Sequence, residues 1–291
     1  MDWEHLKDRA GTYARLMRLH RPIGTLLLLW PVLWGLWIAA RGIPDTKILI
    51  VFVLGTFSMR SAGCVINDFA DRNIDIHIQR TRDRPFAKGE VSVKEALILF
   101  VVLVGLSAAL VLTLNRLTVM LSFIGVALAI IYPFMKRYTY LPQIFLGAAF
   151  GWGVPMAFAA QTNAVPNVAW AVMTSAVLWA MIYDTEYAMV DREDDIKLGL
   201  KSTAILFDDA DREFVGAFQV MMLLGLAMIG REAHLGSPYG LALAVCACMA
   251  AYQQVLIHGR VPTQCFKAFM NNNWYGAVVF LGIAASYWDA P

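Results

Sequence analysis

Long apolar runs broken by short polar, charged segments dominate the pattern along this 291-residue chain. Nine such runs lie near 23–40, 48–66, 96–114, 118–134, 141–160, 167–183, 214–230, 239–257 and 270–288. Each approaches the roughly 17–25 residues that a helix needs to cross the hydrocarbon core of a bilayer. Ahead of them, residues 1–21 set Trp3, Leu6, Ala10, Tyr13 and Met17 at helical spacing against Lys7, Arg9, Arg15, Arg18 and Arg21. That spacing predicts an amphipathic helix lying in the membrane interface. A cleaved signal peptide is not expected, because the run after Pro22 is long enough to span and no short apolar core precedes a small-residue cleavage site. The pattern therefore predicts an all-α, polytopic membrane protein of about nine transmembrane helices, forming a single domain over residues 1–291.

Composition agrees with this class: 59% of residues are hydrophobic and 16% charged, against about 45–50% and ~25% in an ordinary globular domain. The net charge of +2 is small, and no basic run interleaved with aromatics suggests nucleic-acid binding. Cys64, Cys246, Cys248 and Cys265 lack both metal-ligand spacing and a disulfide framework, and read as small packing residues. Five isolated histidines give no zinc or haem site, and no phosphate-binding Gly-Lys loop occurs.

The distribution of charge is more informative than its sum. Nineteen of the 24 Lys and Arg residues fall in the N-terminal segment and in the loops after the second, fourth, sixth and eighth runs, four fall on the opposite side, and Arg60 lies within a run. The positive-inside rule makes the first set cytoplasmic and sends the C-terminus outside. It also assigns two acidic signatures to the cytoplasmic side, each ending an even-numbered run.

The first signature runs from Asn67 and Asp68 through Asp71-Arg72 to Asp75. The second, 120 positions later, runs from Tyr187 through Asp191-Arg192 to Asp195. Both contain Asp-Arg-x-x-Asp, and an i, i+4 spacing stacks the two carboxylates on one helix face. Facing pairs of this kind suit Mg²⁺, which prefers oxygen ligands and is bound by one or two carboxylates together with substrate phosphates. The plain alternative is a pair of solvated acidic helix ends. Repetition of helix, acidic end and basic loop suggests a two-fold pseudo-repeat around a shared central cavity.

Cations gather beside both signatures: Arg80, Arg82, Arg84 and Lys88 after the first, Lys197 and Lys201 after the second. They could neutralise phosphate oxygens, although topology alone accounts for many of them. Arg60, one heptad before Asn67 and inside an apolar run, needs a partner such as a carboxylate or a bound anion. Pro133 interrupts a helix so that Tyr132, Lys136 and Arg137 crowd the cavity mouth, with a snorkelling anchor as the alternative. Asp184 shares the face of Asp191 and is suited to orienting an Arg or Lys. Gly147, Gly151, Gly153 and Pro155 permit a bend beside the cavity, and Asn271, Asn272 and Asn273 read as interhelical hydrogen-bonding groups.

Taken together, the Asn-Asp-x-x-Asp-x-x-x-Asp segment at 67–75, Asp-x-x-x-Asp at 191–195 and Tyr-x-x-x-Lys at 132–136 resemble the intramembrane aromatic prenyltransferase superfamily. His20 to Gly24, Met135 to Thr139, Tyr183 to Ala188 and Phe266 to Asn273 are similar to its bacterial members that prenylate 4-hydroxybenzoate in ubiquinone biosynthesis. The resemblance spans nearly the whole chain. It implies that Asn67, Asp68, Asp71 and Asp75 face Asp191 and Asp195 and hold Mg²⁺ on a polyprenyl diphosphate, with Asp71, Arg72 and Asp191 as the catalytic residues. Arg60 and Lys136 would contact phosphate oxygens, and Tyr132 and Tyr187 would stabilise a carbocation. Arg137 is expected on the acceptor carboxylate, with Arg72 as the alternative. Localisation in a bacterial inner membrane follows from the same resemblance, with the site facing the cytoplasm and lipid as surroundings.

A cation-coupled secondary transporter with paired acids at helix breaks is the rival from another class, and a prenyltransferase for dihydroxynaphthoate or homogentisate is the nearer one. The transporter would carry its acids in oppositely oriented halves. Reporter fusions after Asp75 and after Asp195 are expected to report cytoplasm, and a C-terminal fusion the outside. Acidic loops found on opposite faces of the membrane would remove the shared cavity and favour the transporter.

Overall fold

The apolar runs all form helices in the computed structural model, which describes residues 3–77 and 81–288. In chain order they are α1 (Trp3–Leu16), α2 (Ile23–Ala40), α3 (Thr46–Ala70), α4 (Val93–Val111), α5 (Arg116–Met135), α6 (Pro142–Gly151), α7 (Gly153–Thr162), α8 (Asn167–Lys197), the single turn α9 (Thr203–Leu206), α10 (Asp211–Glu232), α11 (Ser237–Ile257) and α12 (Pro262–Trp288). No strand occurs among the described residues. Eight segments are long and apolar enough to cross a membrane, with α6 and α7 together making one of them. The ninth expected span is α12, 27 residues long, whose hydropathy is lowered by Asn271, Asn272 and Asn273.

Local chemistry fixes where these helices begin and bend. Asp45 and Asn115 cap α3 and α5 by accepting from backbone N–H groups three residues on, and Ser92 with Glu95 closes a reciprocal capping box on α4. The fifth expected run is broken at Trp152. Pro155 cannot donate to the carbonyl one turn back, and Gly151 and Gly153 leave the chain free to kink there. Gly153 also brings α7 onto α2, since a Cβ on it would sit 2.5 Å from Val32 Cγ2.

The main core lies between α2, α8, α10, α11 and α12, with α6 and α7 against α8. Trp34 and Trp179 are fully buried with ring centroids 5.3 Å apart. Their indoles still find acceptors, Trp34 on the Gly276 carbonyl at 3.1 Å and Trp179 on Asn272 Oδ1 at 2.9 Å, as a buried indole N–H requires. Asn272 in turn donates to Glu186 at 2.7 Å, Asn273 accepts from Trp30 and Asn271 from Gln253. All three asparagines thus bond across the bundle. By contrast α4 and α5 have few buried residues and display Val101, Leu106, Phe123 and Ile131 outward, the surface that lipid covers in a polytopic protein. Cys64, Cys246 and Cys265 are buried free thiols, while Cys248 is exposed.

Gly276 is the point of closest approach in this core, because a Cβ there would lie 2.5 Å from both Trp179 and Trp30. Gly276→Ala is expected to overpack it and to destabilise the protein by about 1–3 kcal/mol. Thermal unfolding of the detergent-solubilised protein checks this; an unchanged midpoint would mean that the two indoles can move apart freely.

Candidate active site

The acidic end of α3 does not fray into solvent. Asp71 takes the C-cap position with its N–H on the Asn67 carbonyl at 2.9 Å, and the N–H of Asp75 bonds the Asp71 carbonyl at 2.9 Å, continuing the helical path past the last residue of α3. The i, i+4 stack is therefore kept, with Asp71 only 2% and Asp75 4% exposed. Buried carboxylates need cations or donors, and the chain supplies them. Lys136 Nζ lies 2.7 Å from Asp71 Oδ2, and Arg84 Nη1 lies 2.8 Å from Asp75 Oδ2. Arg137 Nη2 donates to the Ala70 carbonyl at 2.5 Å and reaches Asp71 Oδ1 at 3.5 Å. Asn67 also leans on Asp71, at 3.4 Å. Burial pushes the Asp75 carboxyl above the usual carboxylate range, Arg84 pulling against it.

The second signature forms the last turns of α8, and Lys136 links the two copies. The Lys136 ammonium that pairs with Asp71 is also within electrostatic reach of Asp184 on α8. The loops over this end are stitched together. Lys201 N–H donates to the Lys136 carbonyl at 2.9 Å, Thr203 N–H to Gln143 Oε1 at 3.3 Å, and the Thr185 and Thr203 hydroxyls lie 2.7 Å apart. Arg192 pairs with Asp208. Tyr187 packs against Phe269 with ring centroids 4.9 Å apart, next to Tyr183 and Phe266.

Below this charged end runs an apolar cavity of about 410 Å³ between α3, α4, α5 and α7. Arg60 and Tyr132 line its polar end, and Val51, Phe52, Val104, Val119, Phe123 and Met156 are among the groups along its length. On α5 alone its lining reaches from Val119 to Tyr132, about 20 Å at ~1.5 Å per residue and so most of the way across a hydrocarbon core of roughly 30 Å. The Arg60 guanidinium lies against Gly24, where a Cβ would sit 2.2 Å away, and 5.8 Å from the Phe150 ring centroid. No carboxylate among the described residues pairs with it. Gly24 thus makes the room for a cation inside an apolar span.

Asn67, Asp68, Asp71, Asp75, Lys136, Arg137 and Asp184 gather at this end, with Arg60 and Tyr132 just beneath. Arg72 is not drawn in. It is exposed, with Nη1 on the Phe69 carbonyl at 2.9 Å and its guanidinium 4.6 Å from the Phe69 ring, because the residue after Asp71 points about 100° around the helix from it. Arg80 lies outside the described residues. Sequence reasoning missed Arg18, read as one of several interfacial cations, whose Nη2 lies 2.5 Å from Asp68 Oδ1. It also left Arg84 undistinguished among its loop neighbours.

Among the described residues no three His, Cys, Asp or Glu side chains converge into a ready-made metal cage. Mg²⁺ requires none, since it keeps waters and shares one or two carboxylates with phosphate oxygens. The ligand groups here are carboxylates, three of them buried, and the half-buried amide of Asn67, a hard oxygen set that fits it.

Residues 28–276 match the UbiA prenyltransferase family. The chain is 60% identical over 283 residues to the 4-hydroxybenzoate octaprenyltransferase of Alkalilimnicola ehrlichii, covering 97% of each chain. It is similar in fold to an apo UbiA homologue from Aeropyrum pernix K1, with a TM-score of 0.80 at 23% identity over 90% of this chain and 97% of that one. A UbiA homologue from Archaeoglobus fulgidus bound to GPP and Mg²⁺ matches with a TM-score of 0.71 at 19% identity, over 92% and 99%.

Proposed function

The chain belongs to the UbiA prenyltransferase family, and from that premise we propose how its own residues carry the transfer. The enzyme moves a polyprenyl group from polyprenyl diphosphate to the ring carbon ortho to the hydroxyl of 4-hydroxybenzoate, releasing diphosphate, in ubiquinone biosynthesis. The name of its relative puts the donor tail at the octaprenyl length. One observation supports this reading above the others: Lys136, paired with the buried Asp71 and within electrostatic reach of Asp184 on the second acidic helix, stands above an apolar channel that begins at Arg60 and Tyr132. A long anionic isoprenoid needs that combination.

Asn67, Asp71 and Asp75 on one side and Asp191 and Asp195 on the other would hold Mg²⁺, which when bound offsets the charge gathering on the departing diphosphate. Asp68, whose Oδ1 is already taken by two guanidinium groups, is left out of this set. Lys136 and Arg60 are placed to take phosphate oxygens, and Asp184 to keep Lys136 oriented. Breaking the C–O bond leaves an allylic cation. The faces of Tyr132 and Tyr187 stabilise it, and the apolar walls keep water from capturing it. The phenol ring then forms the new C–C bond and loses a proton to regain aromaticity. By the charge asymmetry of the loops this end faces the cytoplasm of a bacterial inner membrane.

For the acceptor carboxylate Arg137 is the choice. Its hydrogen bonds use Nη2 alone, with the guanidinium over the Phe134 ring, which leaves the other N–H groups of a planar fork to bind a carboxylate. With Arg72 turned outward, Arg60 becomes the alternative.

EDTA should abolish product formation and Mg²⁺ restore it; full activity without metal would sink the two-ledge mechanism. Asp71→Asn and Asp191→Asn should each lower kcat by at least ~10²-fold, the scale of losing a key electrostatic group. Product mass spectrometry with 4-hydroxybenzoate and diphosphates of several lengths reads acceptor, donor and rate together.

Arg137→Ala should raise the KM for 4-hydroxybenzoate by about 1.5–3 kcal/mol, or roughly 10- to 150-fold, with donor KM nearly unchanged. If the donor KM rises instead, Arg137 belongs to the diphosphate site and the carboxylate passes to Arg60.

A further inference from the structure

The N-terminal helix reaches the site. Its apolar face packs Tyr13, Leu16 and Met17 onto Ala62, Val65, Val91 and Ala96, while Arg9 and Tyr13 bind Glu95 and Arg15 binds Glu90. It ends in a paired closure in which Leu19 N–H reaches the Ala14 carbonyl and Arg18 N–H the Arg15 carbonyl. Arg18 occupies the left-handed position of that closure, with φ +57°. Glycine is the usual occupant there, because a Cβ is disfavoured at positive φ. A cap that would be more stable with glycine instead holds a guanidinium, aimed inward at Asp68.

Asp68 is 1% exposed, and the same Oδ1 receives both Arg18 Nη2 at 2.5 Å and Arg84 Nη1 at 3.2 Å. Arg84 also holds Asp75. Beyond its ion pair with Asp68, the Arg18 guanidinium is within electrostatic reach of Cys64 of α3, Tyr187 of α8 and Tyr132, which lines the channel from α5. One carboxylate thus holds two guanidinium groups beside the stacked Asp71 and Asp75.

We propose that Arg18 binds the diphosphate of the prenyl donor, and that Asp68 is a positioning residue that orients Arg18 and Arg84 toward it and is not a metal ligand. This makes α1 part of the active site, and it rests on the donor site described above. A guanidinium fork matches two phosphate oxygens, and one held by a buried carboxylate loses little freedom on binding them. Asp68 Oδ1, shared by two guanidinium groups, is a poor ligand for a further cation.

Two affinities measured separately on the purified full-length protein test this: Mn²⁺ alone, by paramagnetic resonance, and a geranyl thiolodiphosphate, which cannot turn over, at saturating Mg²⁺. Arg18→Gly restores the residue that the cap prefers and leaves Arg84 on Asp68, so its thermal stability should hold while the analogue binds about 10- to 100-fold more weakly, the scale of one or two charge-assisted bonds. Its Mn²⁺ affinity should not change. Asp68→Asn should give the same split, Asp71→Asn should weaken Mn²⁺ instead, and Arg18→Lys should recover part of the analogue affinity. Asp68→Asn weakening Mn²⁺ as much as Asp71→Asn would overturn the proposal. So would an Arg18→Gly protein with wild-type analogue affinity, or one losing stability and both affinities together. Wild-type protein that binds no analogue would overturn the donor site itself, a failure separate from these.

Discussion

Three carboxylates, those of Asp68, Asp71 and Asp75, are buried at the end of a helix that has just crossed an apolar span. A carboxylate taken out of water without partners would be strongly unfavourable. The surrounding structure can be understood as the means of preventing that. Lys136 and Arg137 come from the break after α5, Arg84 from the loop before α4 and Arg18 from the end of α1. Three separate segments are thereby tied to the end of α3, and the loop carrying Lys136 is tied in turn to the segment after α8. The charges that a diphosphate and a metal would meet are therefore fixed before either arrives, which is the condition for strong electrostatic catalysis.

The apolar half of the molecule answers a different constraint. Lipid offers no hydrogen bonds, so each span closes its own backbone as helix, and polar side chains pair inside the bundle. The asparagines of α12 and the indoles of Trp30 and Trp179 do this within the core. On the other side, α4 and α5 turn most of their surface outward and, with α3 and α7, line the channel. A deeply buried α8 and a channel-lining α5 thus set the second acidic helix beside a space able to take an isoprenoid chain.

Much of this was legible in the residues. Spans, the kink at Trp152 and the stacking of the two acid pairs all follow from periodicities and from backbone chemistry that act locally. Lys136 and Arg137 were legible as the first charges past an apolar run, although α5 continues through Pro133 to Met135 where an interruption at the proline was expected. The orientation of Arg72 was not, since a motif written as a string hides the 100° turn between neighbours. Arg18 was hidden for another reason. Among five cations on an amphipathic helix nothing in the spacing singles one out, and its role depends on a left-handed turn and on contacts to residues fifty positions away.

The position of Arg60 joins these threads. A guanidinium in an apolar span has to meet an anion, yet the carboxylates nearby are taken up by Lys136, Arg137, Arg84 and Arg18. Gly24 opens a recess for it and Phe150 gives it an aromatic face, which reduces the cost without cancelling the charge. Its remaining demand for a negative partner lies at the top of the channel, one step below the acidic wall. An anionic head over an apolar tail meets that demand and fills the channel together. Charge and shape then select the same class of molecule, a diphosphate on a long isoprenoid, with neither sufficient alone.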